Sequence, residues 1–186
     1  MAFENSALLL IDLQVTWSRG KAVTSSFPGL NDNIRELVRL ARANNMKIIH
    51  VYADYNSDNT SWFNNDNTGD VSISLKINKP DLDIVKPMDG EKIIYKPTWD
   101  VFYKTTLDEY LKSQNIKNLY FAGLVTSICV LFSVHGGYKR GYKLFVIDDC
   151  CADTKKEFHE WTINRFGSRG MFKVVNVKDN LLVSKL

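Results

Sequence analysis

Six short apolar runs punctuate the chain, at Ala7–Leu13, Lys47–Tyr52, Lys92–Tyr95, Lys117–Leu124, Lys143–Asp148 and Phe172–Val177. They are brief and often β-branched, which suits strands. Amphipathic stretches lie between most of them. In Asn31–Ala43 the residues Ile34, Leu37, Val38 and Ala41 fall on one stripe at helical spacing, with Asn31 placed as an N-cap and Asn44 or Asn45 as a left-handed stop. Thr106–Ser113 and Thr154–Phe166 read the same way, and a further helix is expected to begin after Cys129, run to about Arg140 and stop at Gly141. Strand alternating with helix implies right-handed crossovers. The pattern therefore predicts an α/β fold of three layers, α/β/α, with a mostly parallel six-stranded sheet covered by helices on both faces.

Gly136-Gly137 falls inside the helix expected after Cys129. A glycine in a helix interior costs up to about 1 kcal/mol against alanine, so close packing or a ligand approach is expected there as compensation.

The length of 186 residues suits one domain spanning the chain. A formal charge of +3 is spread over 24 basic and 21 acidic residues, and no basic run exceeds the pairs Lys139-Arg140 and Lys155-Lys156. Such a surface is solvated and lacks the stripe that nucleic acid requires. The N-terminus carries no basic stretch followed by an apolar signal core, and no apolar run is long enough to cross a bilayer. Three cysteines, two of them adjacent as Cys150-Cys151, argue against a secreted disulfide framework and point to a reducing, cytoplasmic setting. The Asn-rich stretch Asn56–Asn67, around Trp62 and Phe63, reads as a long surface loop or lid.

Chemistry enters where apolar runs end. Cys129 lies in Gly123-Leu124-Val125-Thr126-Ser127-Ile128-Cys129-Val130, a thiol offered at a strand-to-helix turn. Asp12 follows Ala7–Ile11, and Lys96 follows Ile93-Ile94-Tyr95, in the same position relative to their own runs. Parallel strands deliver their last residues to one edge, where ligands bind, so the three side chains are expected to meet. A helix start and a nearby lysine both favour a thiolate. Each residue alone has a plainer reading: a Cys between Ile128 and Val130 as a buried small hydrophobe, an Asp ending a strand as a turn residue, a Lys before Pro97 as a solvated charge. A hydrolase needs a strong nucleophile, a base and oxyanion donors, and the three residues together could supply the first two.

Those residues, with Ala7-Leu8-Leu9-Leu10-Ile11-Asp12-Leu13-Gln14, Gly141-Tyr142 and Val146-Ile147-Asp148, resemble the isochorismatase-like cysteine hydrolases over nearly the whole chain. This family includes nicotinamidases, carbamoylsarcosine-type amidohydrolases and true isochorismatases. The resemblance implies a catalytic triad of Asp12, Lys96 and Cys129, and an oxyanion hole from the backbone N–H groups of Val125 and Cys129 beside a cis Leu124–Val125 bond. It implies that Asp12 takes the thiol proton, gives it to the departing amine and later activates water. The family usually carries an Asp and an Ala where this chain has Gly136 and Gly137, a departure that bears on the helix contact or on a dimer face.

Nicotinamidases in the family bind a metal through an Asp-x-His-x-His cluster after the second strand. Here that region reads His50-Val51-Tyr52-Ala53-Asp54-Tyr55-Asn56-Ser57-Asp58, without the two downstream histidines, so no catalytic metal and no cofactor is expected. His159 resembles a structural His common in the family. Gln14, in the family's Asp-x-Gln, is set to brace the turn or Lys96, or to be an exposed loop amide. Gln14, Trp17, Trp62, Trp99 and Phe102 are the expected pocket residues. Aromatic walls of this kind suit a small planar amide or a ring, and equally suit a core or a dimer contact. The implied partner is a small-molecule substrate, and the implied assembly a homo-oligomer, dimer or tetramer. The expected reaction is hydrolysis of a C–N bond in an amide or ureido-type compound. A vinyl-ether hydrolase is the enzymatic alternative, which Cys129 disfavours because that chemistry needs no thiol. A silent ligand- or partner-binding homologue is the alternative from another class, and a redox pair at Cys150-Cys151 is a third.

Overall fold

The computed structural model describes residues 3–55 and 78–178. Its strands are β1 (Ser6–Ile11), β2 (Lys47–Ala53), β3 (Lys92–Lys96), β4 (Asn118–Leu124), β5 (Lys143–Ala152) and β6 (Lys173–Val175). They form one sheet in the order β3-β2-β1-β4-β5-β6, every neighbouring pair parallel. The helices are α1 (Val15–Ser18), α2 (Lys21–Ser26), α3 (Leu30–Ala43), α4 (Leu107–Ser113), α5 (Leu131–Tyr138) and α6 (Lys156–Gly167), with a π-helical turn at Thr126–Val130 leading into α5. Among the described residues no helix is long and apolar enough to cross a membrane.

The unbroken apolar reading of β1 has a direct cause. Leu8 and Leu10 point into one buried cluster with Ile34, Leu37, Val38 and Ala41 of α3. Ala7, Leu9 and Ile11 point into a second, with Leu107 and Leu111 of α4, Val134 of α5 and Ile163 of α6. A strand with helices on both faces has no polar side to show. Successive residues therefore feed two cores, and the three layers follow.

Two local expectations are corrected. Helix α3 starts at Leu30 with Gly29 in the cap position, so Asn31 sits in the first turn instead of capping it. Asn45, with φ of 54°, is the left-handed stop. Strand β5 does not end at Asp148. Its register against β4 shifts between Phe121↔Val146 and Gly123↔Cys151, so two steps on β4 face five on β5. That bulge takes in Asp148-Asp149, the polar pair that looks like a terminator in sequence. It also flips the strand's faces: Leu144 and Val146 lie in the second cluster, but beyond the bulge it is Cys151 that lies there, and Cys150 joins the first.

Candidate active site

The strand order reverses between β1 and β4, the place where an open α/β sheet leaves a crevice beyond its carboxyl ends. Asp12 follows β1 and Cys129 stands in the π-helical turn after β4, on the two sides of that reversal. Lys96 ends β3, two strands away from β1 and thus about 10 Å across the ladder. Its long side chain spans β2, where its register partner is the small residue Ala53. The three expected residues do come together: Lys96 Nζ lies 2.8 Å from Asp12 Oδ2 and 3.3 Å from Cys129 Sγ. Asp12 and Lys96 are fully buried and Cys129 is 6% exposed.

The backbone is shaped to make this possible. Asp12 takes a left-handed φ of 52°, a conformation that Asp tolerates better than most residues. Its N–H donates to the Val51 carbonyl at 2.8 Å and its carbonyl accepts the Gln14 N–H at 2.8 Å, which lock the turn. Gly123, with φ of 118°, lies against β1 so closely that a Cβ there would collide with the carbonyl oxygen of Ile11. Only glycine lets β4 approach β1 at the site's edge. The Leu124–Val125 peptide that follows is cis.

A fourth group completes the cluster, and sequence reasoning missed it. Tyr55, two residues past β2 and buried, puts its hydroxyl 3.2 Å from Cys129 Sγ and 3.4 Å from Lys96 Nζ. The lysine also lies 5.2 Å from the centre of the Tyr55 ring and donates to the Thr98 carbonyl at 3.0 Å. Its three protons thus serve four neighbours. The Asp12 contact is an ion pair without a well-angled hydrogen bond, and both Asp12 oxygens otherwise lack a hydrogen-bond partner among the described residues. The only advance signal for Tyr55 was its place just beyond the end of an apolar run, the criterion that selected Asp12.

Burial governs the protonation of the cluster. It pushes the Cys129 thiol up to about 12, and Lys96 opposes this without overcoming it. Burial therefore works against the thiolate that the turn and the lysine favour. Burial also raises the Asp12 carboxyl, with Lys96 pulling the other way, so Asp12 is a stronger base than an exposed aspartate. For Lys96, burial alone would lower the pKa, but the negative charge of Asp12 raises it, and the ammonium is retained. Asp12, Lys96 and Cys129 titrate as one coupled unit.

A second layer holds the turn that carries Cys129. Thr126 Oγ1 lies 2.8 Å from His159 Nδ1, and His159 Nε2 lies 2.9 Å from Asp148 Oδ1. In the neutral ring, Nε2–H donates to the carboxylate and Nδ1 accepts from the threonine hydroxyl. The Asp153 carboxylate accepts the Ser127 N–H at 2.7 Å and the Thr154 N–H at 2.7 Å, which keeps Thr154 outside α6. Ser133 on α5 donates to the Trp99 carbonyl and accepts the Val101 N–H, both at 3.2 Å, and so pins the loop after Lys96 to the helix that follows Cys129.

The expected pocket residues divide. Trp17 lies beside Tyr55, ring centres 6.5 Å apart, and Trp99 meets Phe132 edge-on at 5.1 Å. Gln14 is buried, its amide donating to the carbonyls of Ala53 and Asn78 and accepting the Ala53 N–H, so it braces the turn. Phe102 is buried in the second core cluster, stacked on Tyr142 under the Arg140 guanidinium. Trp62 and the Asn56–Asn67 stretch lie outside the described residues. The glycines of α5 are explained by packing: a Cβ on Gly136 would overlap the Asp100 carboxylate and come within 2.8 Å of the Phe102 ring, and one on Gly137 would press on Leu144 at 3.0 Å.

The residues present do not fit a nicotinamidase-type metal. His50, the histidine nearest that position, is held in β2 by Glu91 at 2.7 Å, and Asp58 lies outside the described residues. Among the described residues no group of three or more His, Cys, Asp or Glu is arranged to hold a metal ion.

Comparison with known proteins places this geometry in context. The chain is 30% identical over 150 residues to the uncharacterized isochorismatase family protein YrdC of Bacillus subtilis, covering 80% of this chain and 74% of that one. It is 25% identical over 176 residues to the ureidoacrylate amidohydrolase RutB of Cronobacter turicensis, covering 78% and 74%. Its fold matches the crystal structure of N-carbamoylsarcosine amidase from Thermoplasma acidophilum with a TM-score of 0.77 at 19% identity, over 97% of this chain and 98% of that one. The isochorismatase domain model matches residues 6–176. The chain belongs to the isochorismatase family of hydrolases.

Proposed function

We propose that this chain is a cysteine-dependent amidohydrolase that cleaves the C–N bond of a small amide or ureido-type compound through a thioester. The observation that carries this reading is the buried cluster itself, with one ammonium 2.8 Å from a carboxylate and 3.3 Å from a thiol at the sheet's switch point. A hydrophobic core gains nothing from burying such a group, and unpaired it costs several kcal/mol. The relatives that carry amidohydrolase names, on ureidoacrylate and N-carbamoylsarcosine, support the bond type.

In the proposed cycle Asp12 takes the Cys129 proton as the sulfur attacks the carbonyl carbon. The backbone N–H groups of Val125 and Cys129 receive the oxyanion. Asp12 returns the proton to the departing nitrogen, the C–N bond breaks, and a thioester remains. Water then gives a proton to Asp12 and attacks the thioester. The C–S bond breaks, the acid leaves, and the sulfur recovers the proton from Asp12. Lys96 keeps its charge throughout and compensates the negative charge as it moves between carboxylate and sulfur. In this cycle the resting thiol is neutral, so attack is coupled to deprotonation at the moment the substrate is in place.

The test is a panel of small amides and ureido compounds scored for amine or ammonia release, with intact-mass spectra recorded during turnover. Release that is absent in Cys129→Ala, together with an acyl adduct on Cys129, is the expected result. Release that persists in Cys129→Ala would overturn the proposal, as would a vinyl ether being the sole substrate consumed.

A further inference from the structure

We propose that Tyr55 is a catalytic residue of this site, its hydroxyl donating to Cys129 Sγ and sharing with Lys96 the negative charge of the thiolate. This rests on Cys129 being the nucleophile. The hydroxyl stands 3.2 Å from the sulfur, well inside hydrogen-bond range for sulfur, and Tyr55 is 5% exposed. Lys96 by itself is a thinly spread donor: it lies 2.8 Å from Asp12 and 3.0 Å from the Thr98 carbonyl, both closer than the 3.3 Å to sulfur. A thiolate formed in this enclosure with that single distant donor would be poorly solvated. The phenol supplies the second donor.

The position of Tyr55 follows from the ladder. The Asp54 N–H donates to the Lys96 carbonyl at 3.0 Å, carrying the β2–β3 pairing one step beyond the strands and setting the next residue over the lysine. Burial and the nearby sulfur and carboxylate raise the phenol's pKa, so it remains a donor. No proton leaves it during the cycle. It donates to the charge that builds on the sulfur as Asp12 takes the proton, relaxes when the thioester draws that charge away, and donates again when the thiolate is expelled by water. Acylation and deacylation both benefit.

Tyr55→Phe removes only the hydroxyl, keeping the ring beside Lys96 and Trp17. The measurement is the rate of Cys129 carbamidomethylation by iodoacetamide against pH in the full chain, read by peptide mass spectrometry, with Cys150 and Cys151 as internal references. The expected result is a rate at Cys129 lower by about tenfold or more at each pH, the curve moving to higher pH, with the melting temperature little changed. Replacing Tyr55 by 3-fluorotyrosine, whose phenol is the stronger donor, is expected to move the curve the opposite way. A Tyr55→Phe profile that superimposes on the unmodified protein would overturn the role of Tyr55 while leaving the nucleophile in place, and a fluorotyrosine curve that fails to move would do the same. If Cys129 in the unmodified protein reacts no faster than Cys150 and Cys151 at any pH, the nucleophile and the role of Tyr55 fall together.

Discussion

The two sides of the β4–β5 ladder offer a controlled comparison of buried thiols. Cys129, after β4, has an ammonium and a phenol within 3.3 Å and a carboxylate beyond them. Cys151, paired with Gly123 across the ladder, has its sulfur 3.7 Å from the Phe121 carbonyl in the second core cluster, and Cys150 lies in the first with the Asp149 carboxylate beside its thiol. Burial raises all three thiols, Cys150 and Cys151 beyond Cys129. Burial alone therefore does not separate a nucleophile from a packing residue. What sets Cys129 apart is an ammonium and a phenol within hydrogen-bond reach of its sulfur, beside a carboxylate paired with that ammonium.

Replacing the cysteines is the strongest way to test that contrast. Cys129→Ala is expected to lower kcat by at least about 10⁴-fold, while Cys150→Ala and Cys151→Ala leave it within about twofold, in the amide assay. Similar losses from all three would erase the distinction.

Asp12→Asn sharpens it further. Turnover is expected to fall by about 10³-fold, since the base is gone, yet Cys129 alkylation at neutral pH should rise. The Asp12 charge holds the thiol up, and without it the buried Lys96 ammonium has the sulfur as its remaining anion. Lys96→Met is expected to slow alkylation instead. If both substitutions move the thiol the same way, the electrostatic account of the cluster is wrong.

The pH dependence has a definite sign. In the proposed cycle Asp12 acts in its base form and its pKa is raised above 3.8, so kcat/KM should fall as pH drops through a limb displaced upward from that value. The ammonium of Lys96 is required and its pKa is raised above 10.5, so no loss from lysine deprotonation is expected below that pH. An acid limb at or below 3.8 would show that burial does not tune Asp12.

Stability effects are smaller in activity terms but probe the same ladder. Gly123→Ala forces a Cβ onto the Ile11 carbonyl at a left-handed φ, and a loss on the order of 4 kcal/mol is expected in denaturant unfolding. Cys151→Ala, on the partner strand, should cost only about 1–2 kcal/mol through the space it leaves. Equal losses at the two paired positions would argue that the close approach of β4 to β1 is not a special constraint.

Much of this was readable in the chain. Asp12, Lys96 and Cys129 were found by one criterion, a reactive side chain after a short apolar run, because parallel strands share a direction and their ends share an edge. The same criterion passed over Tyr55, since nothing local marks a tyrosine among tyrosines. Phe102, grouped with the pocket as part of the aromatic stretch after Lys96, lies in the core, because an aromatic near a site and an aromatic in a core look identical in sequence. The pull of burial on the thiol was hidden for a related reason: local features favour a thiolate, but burial is a property of the whole fold.

By itself the sequence determined the alternation of strand and helix, the burial of both sheet faces and the set of residues gathered at the carboxyl edge. These depend on periodicity and chain direction, which are local. Only the tertiary structure decided that β5 continues through Asp148-Asp149, that Cys150 and Cys151 end in opposite cores, that a phenol joins the thiol, and that burial works against the thiolate. Each of these depends on distances between residues far apart in the chain, and on water excluded by layers that no short segment contains.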